Sequence, residues 1–182
     1  MEIERVDTSG RGTRNLHATP EVQIRAPMPE DAVAVTDLIE RCPPLDLNST
    51  YCYLVQCSHF ADTCAIAESD GVPVGFVSAH RLPQAPTTLF VWQVAVGPEM
   101  RGRSLGRAMI LDILSRPYAE DINEIHATVT ADNGASMHMF CSLARRLATT
   151  ARRAPYFDAR QHFAGRHASE LLINIGPFSS PY

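Results

Sequence analysis

Leu89-Phe90-Val91-Trp92-Gln93-Val94-Ala95-Val96, then Gly97-Pro98-Glu99-Met100, then Arg101-Gly102-Arg103-Ser104-Leu105-Gly106-Arg107, is the stretch on which the fold turns. The first eight residues are almost continuously apolar, which reads as a strand buried on both faces. Gly97-Pro98 ends it. Leu105, Met109, Ile110, Ile113 and Leu114 follow at helical spacing. A strand, a glycine-bearing loop and a helix start make an anion site. The first N–H groups of a helix have no partner within it, and the helix dipole favours negative charge there. Small residues let a phosphate approach the backbone. The same residues also describe an ordinary strand–turn–helix corner with surface arginines. A dinucleotide-binding unit is disfavoured, because no Gly-x-Gly-x-x-Gly appears and no acidic residue follows about 20 positions later.

Outward from that stretch, the elements read in order. Val22–Ala26 alternates and predicts a strand, and Pro27-Met28-Pro29-Glu30-Asp31 is a helix entrance. Val35, Leu38, Ile39 and Cys42 mark the helix, which Pro43-Pro44 stops. Asn48 reads as the N-cap of a second helix running to about Phe60. Thr63–Glu68 and Val72–Ala79 predict a hairpin about Ser69-Asp70-Gly71, and Arg81–Thr87, with two prolines, a loop. Glu124–Thr130 alternates as a strand. Asp132-Asn133 opens a helix with Met137, Phe140, Cys141, Ala144 and Leu147 on one face and His138 on the other. Arg145-Arg146 and Arg152-Arg153 read as solvated helix-end and loop charges, and Phe163–Glu170 as a polar loop before a last strand, Leu171–Ile175. This order predicts an α/β fold, a mixed central β-sheet of about six to seven strands flanked by helices on both faces.

Composition bounds the class. A chain of 182 residues is long enough for one substantial core. Residues 1–20, polar and glycine-bearing, read as a disordered tail, and residues 21–182 as a single domain. Apolar content of 45% and charged content of 20% are those of a soluble globular protein. The net charge of −4 argues against nucleic acid and mildly suits a small cationic substrate. Five cysteines, an odd number with no Cys-x-x-Cys pair, indicate neither a zinc site nor a complete disulfide framework. They read as reduced thiols of a cytoplasmic protein. No apolar signal core opens the chain and no 18-residue apolar run occurs, so no membrane segment is expected.

The arginine–glycine loop resembles the acyl-CoA pyrophosphate loop of the GNAT superfamily of N-acetyltransferases, whose pattern is Arg/Gln-x-x-Gly-x-Gly/Ala. Arg101, Gly102, Leu105 and Gly106 match it; Ser104 replaces the first motif glycine, a residue tolerated in a helix first turn. Longer blocks are similar to the L-2,4-diaminobutyrate acetyltransferases of the ectoine pathway, across roughly residues 22–178. They are Pro43-Pro44-Leu45-Asp46-Leu47-Asn48-Ser49-Thr50-Tyr51-Cys52-Tyr53-Leu54, His59–Cys64, Gly75-Phe76-Val77-Ser78 and Thr88–Val96. Thr128-Val129-Thr130, Asn133, Ser136, Phe140, His167, Glu170-Leu171 and Ile175-Gly176-Pro177 complete them.

The resemblance implies that the γ-amine of L-2,4-diaminobutyrate attacks acetyl-CoA to give N4-acetyl-diaminobutyrate, with no metal, in a homodimer. The backbone of Val94 and Val96 would pair with the pantetheine arm, and amides from Gly102 to Arg107 would hold the pyrophosphate, with charge added by Arg101 and Arg103. Asn133 matches a position that contacts the cofactor arm, and the Val94 amide would polarise the thioester carbonyl. Asp46 and Glu170 would anchor the two ammonium groups, at about 1.5–3 kcal/mol per charge-assisted hydrogen bond. Trp92, on the face of Val94 and Val96 by strand alternation, would wall the pocket; Tyr51, Thr128 and His167 are further implied contacts. Taken singly, Asp46 reads as a turn residue, Tyr51 as a core aromatic and His167 as a surface histidine. Freeing an amine of pKa about 10 of its proton at pH 7 costs roughly 4 kcal/mol. Glu170 is the first candidate acceptor, Asp46 the second and His167 the third. Phe140 stands where many superfamily members carry an acidic tyrosine, so either the thiolate leaves unassisted or another group serves. The rival readings are an acetyltransferase of another small diamine or amino acid, and a non-catalytic acyl-CoA-binding module.

Overall fold

The computed structural model describes residues 21–179, and the expected N-terminal tail lies outside them. The strands β1 (Val22–Arg25), β2 (Ala65–Ser69), β3 (Val72–Leu82), β4 (Ala85–Val96), β5 (Glu124–Thr130), β6 (Ala151–Phe157) and β7 (Glu170–Ile175) form one mixed sheet in the order β1-β2-β3-β4-β5-β7-β6. Every neighbouring pair is antiparallel except β4 and β5, which the crossover helix α3 (Leu105–Leu114) joins in parallel. The sheet has two covered regions. Helices α1 (Ala32–Glu40) and α2 (Thr50–His59) bury Val35, Leu38, Ile39, Tyr53 and Cys57 against Ile66, Phe76 and Ala95. Helices α3 and α4 (Gly134–Arg146) bury Met109, Ile110, Ile113, Phe140 and Leu143 against Leu89, Val91, Ile125, Ala127 and Ile173 on the opposite face. Each such aliphatic side chain contributes about 1.5–3 kcal/mol on leaving water.

Four sequence expectations change. The central strand is not regular: Ser78 pairs with Gln93 but Ala79 with Val91, so Trp92 is an extra residue opposite β3. Such a bulge lets two successive side chains share a face. Leu89 and Val91 lie in the α3/α4 core, as do Val94 and Val96, whereas Ala95 lies in the α1/α2 core. Trp92 therefore does not share the face of Val94 and Val96; it turns toward α2 with Gln93. The expected loop Arg81–Thr87 is instead a tight hairpin, with β3 running to Leu82 and β4 starting at Ala85. Pro86 is accommodated because the register jumps there, from Arg81–Leu89 to Leu82–Ala85, so its missing N–H is not required by the ladder. Arg152 and Arg153 lie in the edge strand β6 rather than in a loop; that strand is exposed over Arg152–Tyr156, so it carries no apolar alternation to read. The α2 cap is Ser49, whose hydroxyl accepts the Cys52 N–H at 3.2 Å, one residue beyond Asn48.

Arg25 ties β1 to β2 and to the entrance of α1, bonding both Asp31 oxygens at 2.8 and 2.9 Å and Glu68 at 2.7 Å. The guanidinium holds the Asp31 carboxyl below its ordinary value of 3.8. The ionised form is the one favoured in the fold, so its contribution is complete above about pH 4 and is lost as pH falls through the lowered native value. Arg25→Met is expected to cost about 1–3 kcal/mol at pH 7 and to flatten the acid limb of stability, measured by urea unfolding from neutral pH down to about pH 2.

Candidate active site

The site begins where two strands part. β4 and β5 pair from Thr88–Glu124 to Val91–Ala127 and no further, although β4 runs on to Val96 and β5 to Thr130. β5 stays with β7 to the end, at Thr130–Glu170. On the other side of β4, Gly97 N–H donates to the Val74 carbonyl at 2.8 Å. Antiparallel alternation from that bond has Ala95 and Gln93 exchanging bonds with Phe76 and Ser78. Val94 and Val96 thus turn their peptide groups away from β3, toward the side β5 has left. The Val96 carbonyl there meets Cys42 Sγ and Arg101 Nε, both at 3.4 Å. The edge offers the Val94 N–H and C=O and the Val96 N–H to an extended ligand.

Below the end of β4, the loop 101–104 is exposed, and Gly102 and Ser104 both adopt left-handed backbone, at φ 76° and 60°. Ser104 is therefore not a first-turn helical residue. It occupies a conformation that the glycine of the family pattern adopts without steric cost. The first intrahelical bond runs from Ala108 N–H to the Ser104 carbonyl at 3.0 Å, leaving the amides of Leu105, Gly106 and Arg107 without helical partners. The Leu105 side chain is buried in the core. Gly106 lets α3 press on β4, since a Cβ there would stand 2.9 Å from Val94 Cγ1. The Arg107 side chain bonds Ser142 Oγ on α4, and Arg103 stays exposed in the loop. Asn133 caps α4, its Oδ1 accepting the Ser136 N–H at 3.0 Å.

Across the α2-side face, two distant pieces of chain meet. Asp46 sits in the α1–α2 loop with its carboxylate 86% exposed. Glu170 opens β7 with its side chain mostly covered, and His167 precedes it by three residues. His167 Nε2 stands 4.0 Å from Asp46 Oδ2 and 3.9 Å from Glu170 Oε1. These distances exceed hydrogen-bond length, so the groups ring a space rather than bond to one another. His167 Nδ1 lies 2.7 Å from the Ala168 carbonyl. A carbonyl only accepts, so Nδ1 carries the proton and Nε2 faces the carboxylates. The His167 ring also packs on Phe163, at 4.8 Å between centroids, inside a loop closed by Asp158, whose Oδ1 accepts the N–H groups of Arg160 and Gln161.

The remaining expected residues flank this space. Thr128 lies on the same sheet face as Thr130 and Glu170, two residues along β5. Tyr51 is 73% exposed on α2, so it is not a core aromatic, and Trp92 is 52% exposed. Trp92 also lines a cavity of about 160 Å³ with Gln56, Phe60, Ser78, Ala79 and His80, where burial holds the His80 imidazole below its usual pKa. Phe140 is buried in the α3/α4 core. Gln93 carried no assigned role in the sequence, yet its Nε2 donates to the Asp46 carbonyl at 2.8 Å. A polar residue inside an apolar strand was the available signal. Among the described residues, no group of three or more His, Cys, Asp or Glu side chains is placed to hold a metal ion, and no helix is long and apolar enough to cross a membrane.

A parted strand pair above a helix N-terminus is the cofactor architecture of a class of acyl transferases, and residues 32–143 match the family model described as the Acetyltransferase (GNAT) family; the chain belongs to that family. It is thus an N-acetyltransferase with acetyl-CoA as co-substrate. It is 47% identical to the L-2,4-diaminobutyric acid acetyltransferase of Methylotuvimicrobium alcaliphilum, over 90% of this chain and 95% of that protein. To the enzyme of the same name from Halomonas elongata it is 39% identical, over 90% and 85%. The solved diaminobutyrate acetyltransferase of Paenibacillus lautus, in complex with its substrate L-2,4-diaminobutyric acid and coenzyme A, superposes with a TM-score of 0.84 at 37% identity, over 90% of this chain and 99% of that one. The ribosomal-protein-S18-alanine N-acetyltransferase of Escherichia coli, 15% identical with a TM-score of 0.61, shares the fold.

The left-handed turn at Gly102 gives a direct test of the loop. A Cβ there meets no atom within 4 Å, so a substitution acts through backbone strain of about 1–2 kcal/mol and not through crowding. Gly102→Val is expected to raise the KM for acetyl-CoA about tenfold and to leave that for the acceptor amine nearly unchanged, read from initial rates with each substrate varied in turn.

Proposed function

We propose that this chain transfers the acetyl group of acetyl-CoA to the γ-amine of L-2,4-diaminobutyrate, giving N4-acetyl-L-2,4-diaminobutyrate and CoA, the acetylation step of ectoine biosynthesis. The observation that carries the reading is the convergence of Asp46 and Glu170 on His167, within 4.0 Å of its Nε2, on the face that Trp92 and Thr128 share. Two carboxylates around one open space repel each other until a cation enters, and a diamine brings two.

The thioester arm adds itself to β4 along Val94 and Val96 as an extended segment. The pyrophosphate lies on the amides of Gly102 to Arg107, with Arg101 and Arg103 adding charge. The Asn133 end of α4 flanks the arm. Asp46 and Glu170 grip the ammonium groups, Tyr51 and Trp92 wall the pocket, and Thr128 and His167 complete its polar lining. Glu170 takes the proton from the γ-ammonium, Asp46 and His167 being the other acceptors at hand. The amine nitrogen then bonds the carbonyl carbon, and the developing oxyanion rests on the Val94 N–H. The carbon–sulfur bond breaks. Phe140 has no proton to give, so CoA leaves as the thiolate and is protonated by water.

The setting that goes with this reading is a cytoplasmic homodimer active under osmotic stress. Its support is the five unpaired thiols and the likeness to the diaminobutyrate enzymes; sedimentation equilibrium tests the dimer. Glu170→Gln is expected to lower kcat by about 10²–10³-fold with the melting temperature retained, and an unchanged kcat assigns the proton to another group. Asp46→Ala is expected to raise the KM for diaminobutyrate at least tenfold, about 1.4 kcal/mol, with that for acetyl-CoA little altered. CoA release measured against lysine, ornithine and polyamines, with NMR of the product, separates diaminobutyrate from the rival acceptors.

A further inference from the structure

We infer that Gln93 is a positioning residue that holds Asp46 over the acetyl-transfer strand, an inference that rests on the amine site proposed above. The loop bearing Asp46 has almost no core of its own. Pro43, Pro44, Asp46, Leu47 and Ser49 are exposed, and Leu45 packs only partly against the α1/α2 cluster. Hydrophobic burial therefore does little to fix where the Asp46 carboxylate stands. Two hydrogen bonds from beneath do that work. Gln93 Nε2 donates to the Asp46 carbonyl at 2.8 Å, and Tyr53 Oη accepts the Asn48 N–H at 3.0 Å. The two ties are joined, since the Tyr53 hydroxyl points to Gln93 Oε1 at 3.5 Å. Tyr53 itself is fully buried, its ring meeting Phe76 edge-on at 6.4 Å, so the anchor is rigid.

The bulge explains why the residue is glutamine and why it faces this way. Without the extra residue at Trp92, strand alternation would turn position 93 toward α3, and the loop would lose its support. At this position a single side chain must donate to a carbonyl and accept from a hydroxyl; a carboxamide does both. Gln93 also precedes Val94, whose peptide edges the slot left by β5. One strand thus sets both the thioester edge and the amine anchor, one residue apart, and any shift of the strand moves the two together.

Steady-state kinetics of Gln93→Met, Tyr53→Phe, Asp46→Ala and the Gln93→Met/Asp46→Ala double variant test this, together with amide hydrogen exchange over residues 45–48 in the full chain without substrate. Gln93→Met is expected to raise the KM for diaminobutyrate about tenfold, keep that for acetyl-CoA within about twofold, and add less than about twofold once Asp46 is already alanine. Exchange at residues 45–48 rises in Gln93→Met. Tyr53→Phe, which removes one oxygen from the core, gives a milder change in the same direction and a folded variant if Gln93→Met does not fold. Unchanged exchange in a folded Gln93→Met, or effects of Gln93→Met and Asp46→Ala that simply multiply, overturns the inference. Faster exchange with an Asp46→Ala enzyme of unaltered KM retires the amine-site reading and retains the grip of Gln93 on the loop.

Discussion

Hydrogen bonding between β4 and β5 stops at Val91 and Ala127, and the rest of the structure is arranged around that stop. A sheet interior does not normally leave peptide groups without partners, because an unpaired buried N–H or C=O costs as much as a lost hydrogen bond. Here the cost is contained. β5 keeps its pairing with β7 on its other edge from Ile125 to Thr130, and α3 crosses beneath β4, brought close by Gly106. The bonds that β5 does not make are the ones an extended acyl chain can make. The sheet is continuous in its order, and β4 and β5 part after Val91 and Ala127, which leaves main-chain groups rather than side chains along that edge.

The bulge at Trp92 turns that single strand into two tools. Before it, Leu89 and Val91 build the α3/α4 core; after it, Val94 and Val96 join the same core while Trp92 and Gln93 face the other side. Loops from opposite ends of the chain then converge: the α1–α2 loop with Asp46, and the long β6–β7 connection with His167, tied to itself through Asp158 and the Phe163 ring. Neither loop is positioned by burial alone. Backbone hydrogen bonds and aromatic contacts bring their carboxylates to one imidazole.

Most strands were legible along the chain because they are buried or alternate, and α1, α3 and α4 because their apolar residues recur at helical spacing; their order within the sheet was not, since pairing between distant strands leaves no local pattern. What stayed hidden had definite physical causes. β6 is held by backbone bonds to β7 and carries arginines outward, so hydrophobic patterning is silent about it. The phase change at Trp92 comes from one inserted residue, which period-two reading cannot detect in a run that is apolar throughout. Ser104 in a left-handed turn runs against steric preference, and only the neighbouring geometry forces it. Asp46, His167 and Glu170 are legible only through family likeness, and the fold brings each carboxylate to within 4.0 Å of His167 Nε2; no spacing rule links positions 46 and 170. Gln93 was invisible as a support because its partner is a main-chain carbonyl, which every residue has.

The thiols have a consequence of their own. Cys42, Cys57 and Cys64 are buried, and burial pushes Cys57 and Cys64 up to about 12, so their thiolate fraction at neutral pH is minute. Cys52 is raised in the same sense by partial burial. An acyl transferase of this kind releases a free thiol at every turnover, and oxidation converts that thiol to a disulfide. Exchange with such disulfides requires an accessible thiolate on the protein. By sinking Cys42, Cys57 and Cys64 into the α1/α2 layer, the fold keeps these three sulfurs out of mixed-disulfide exchange with its own spent coenzyme.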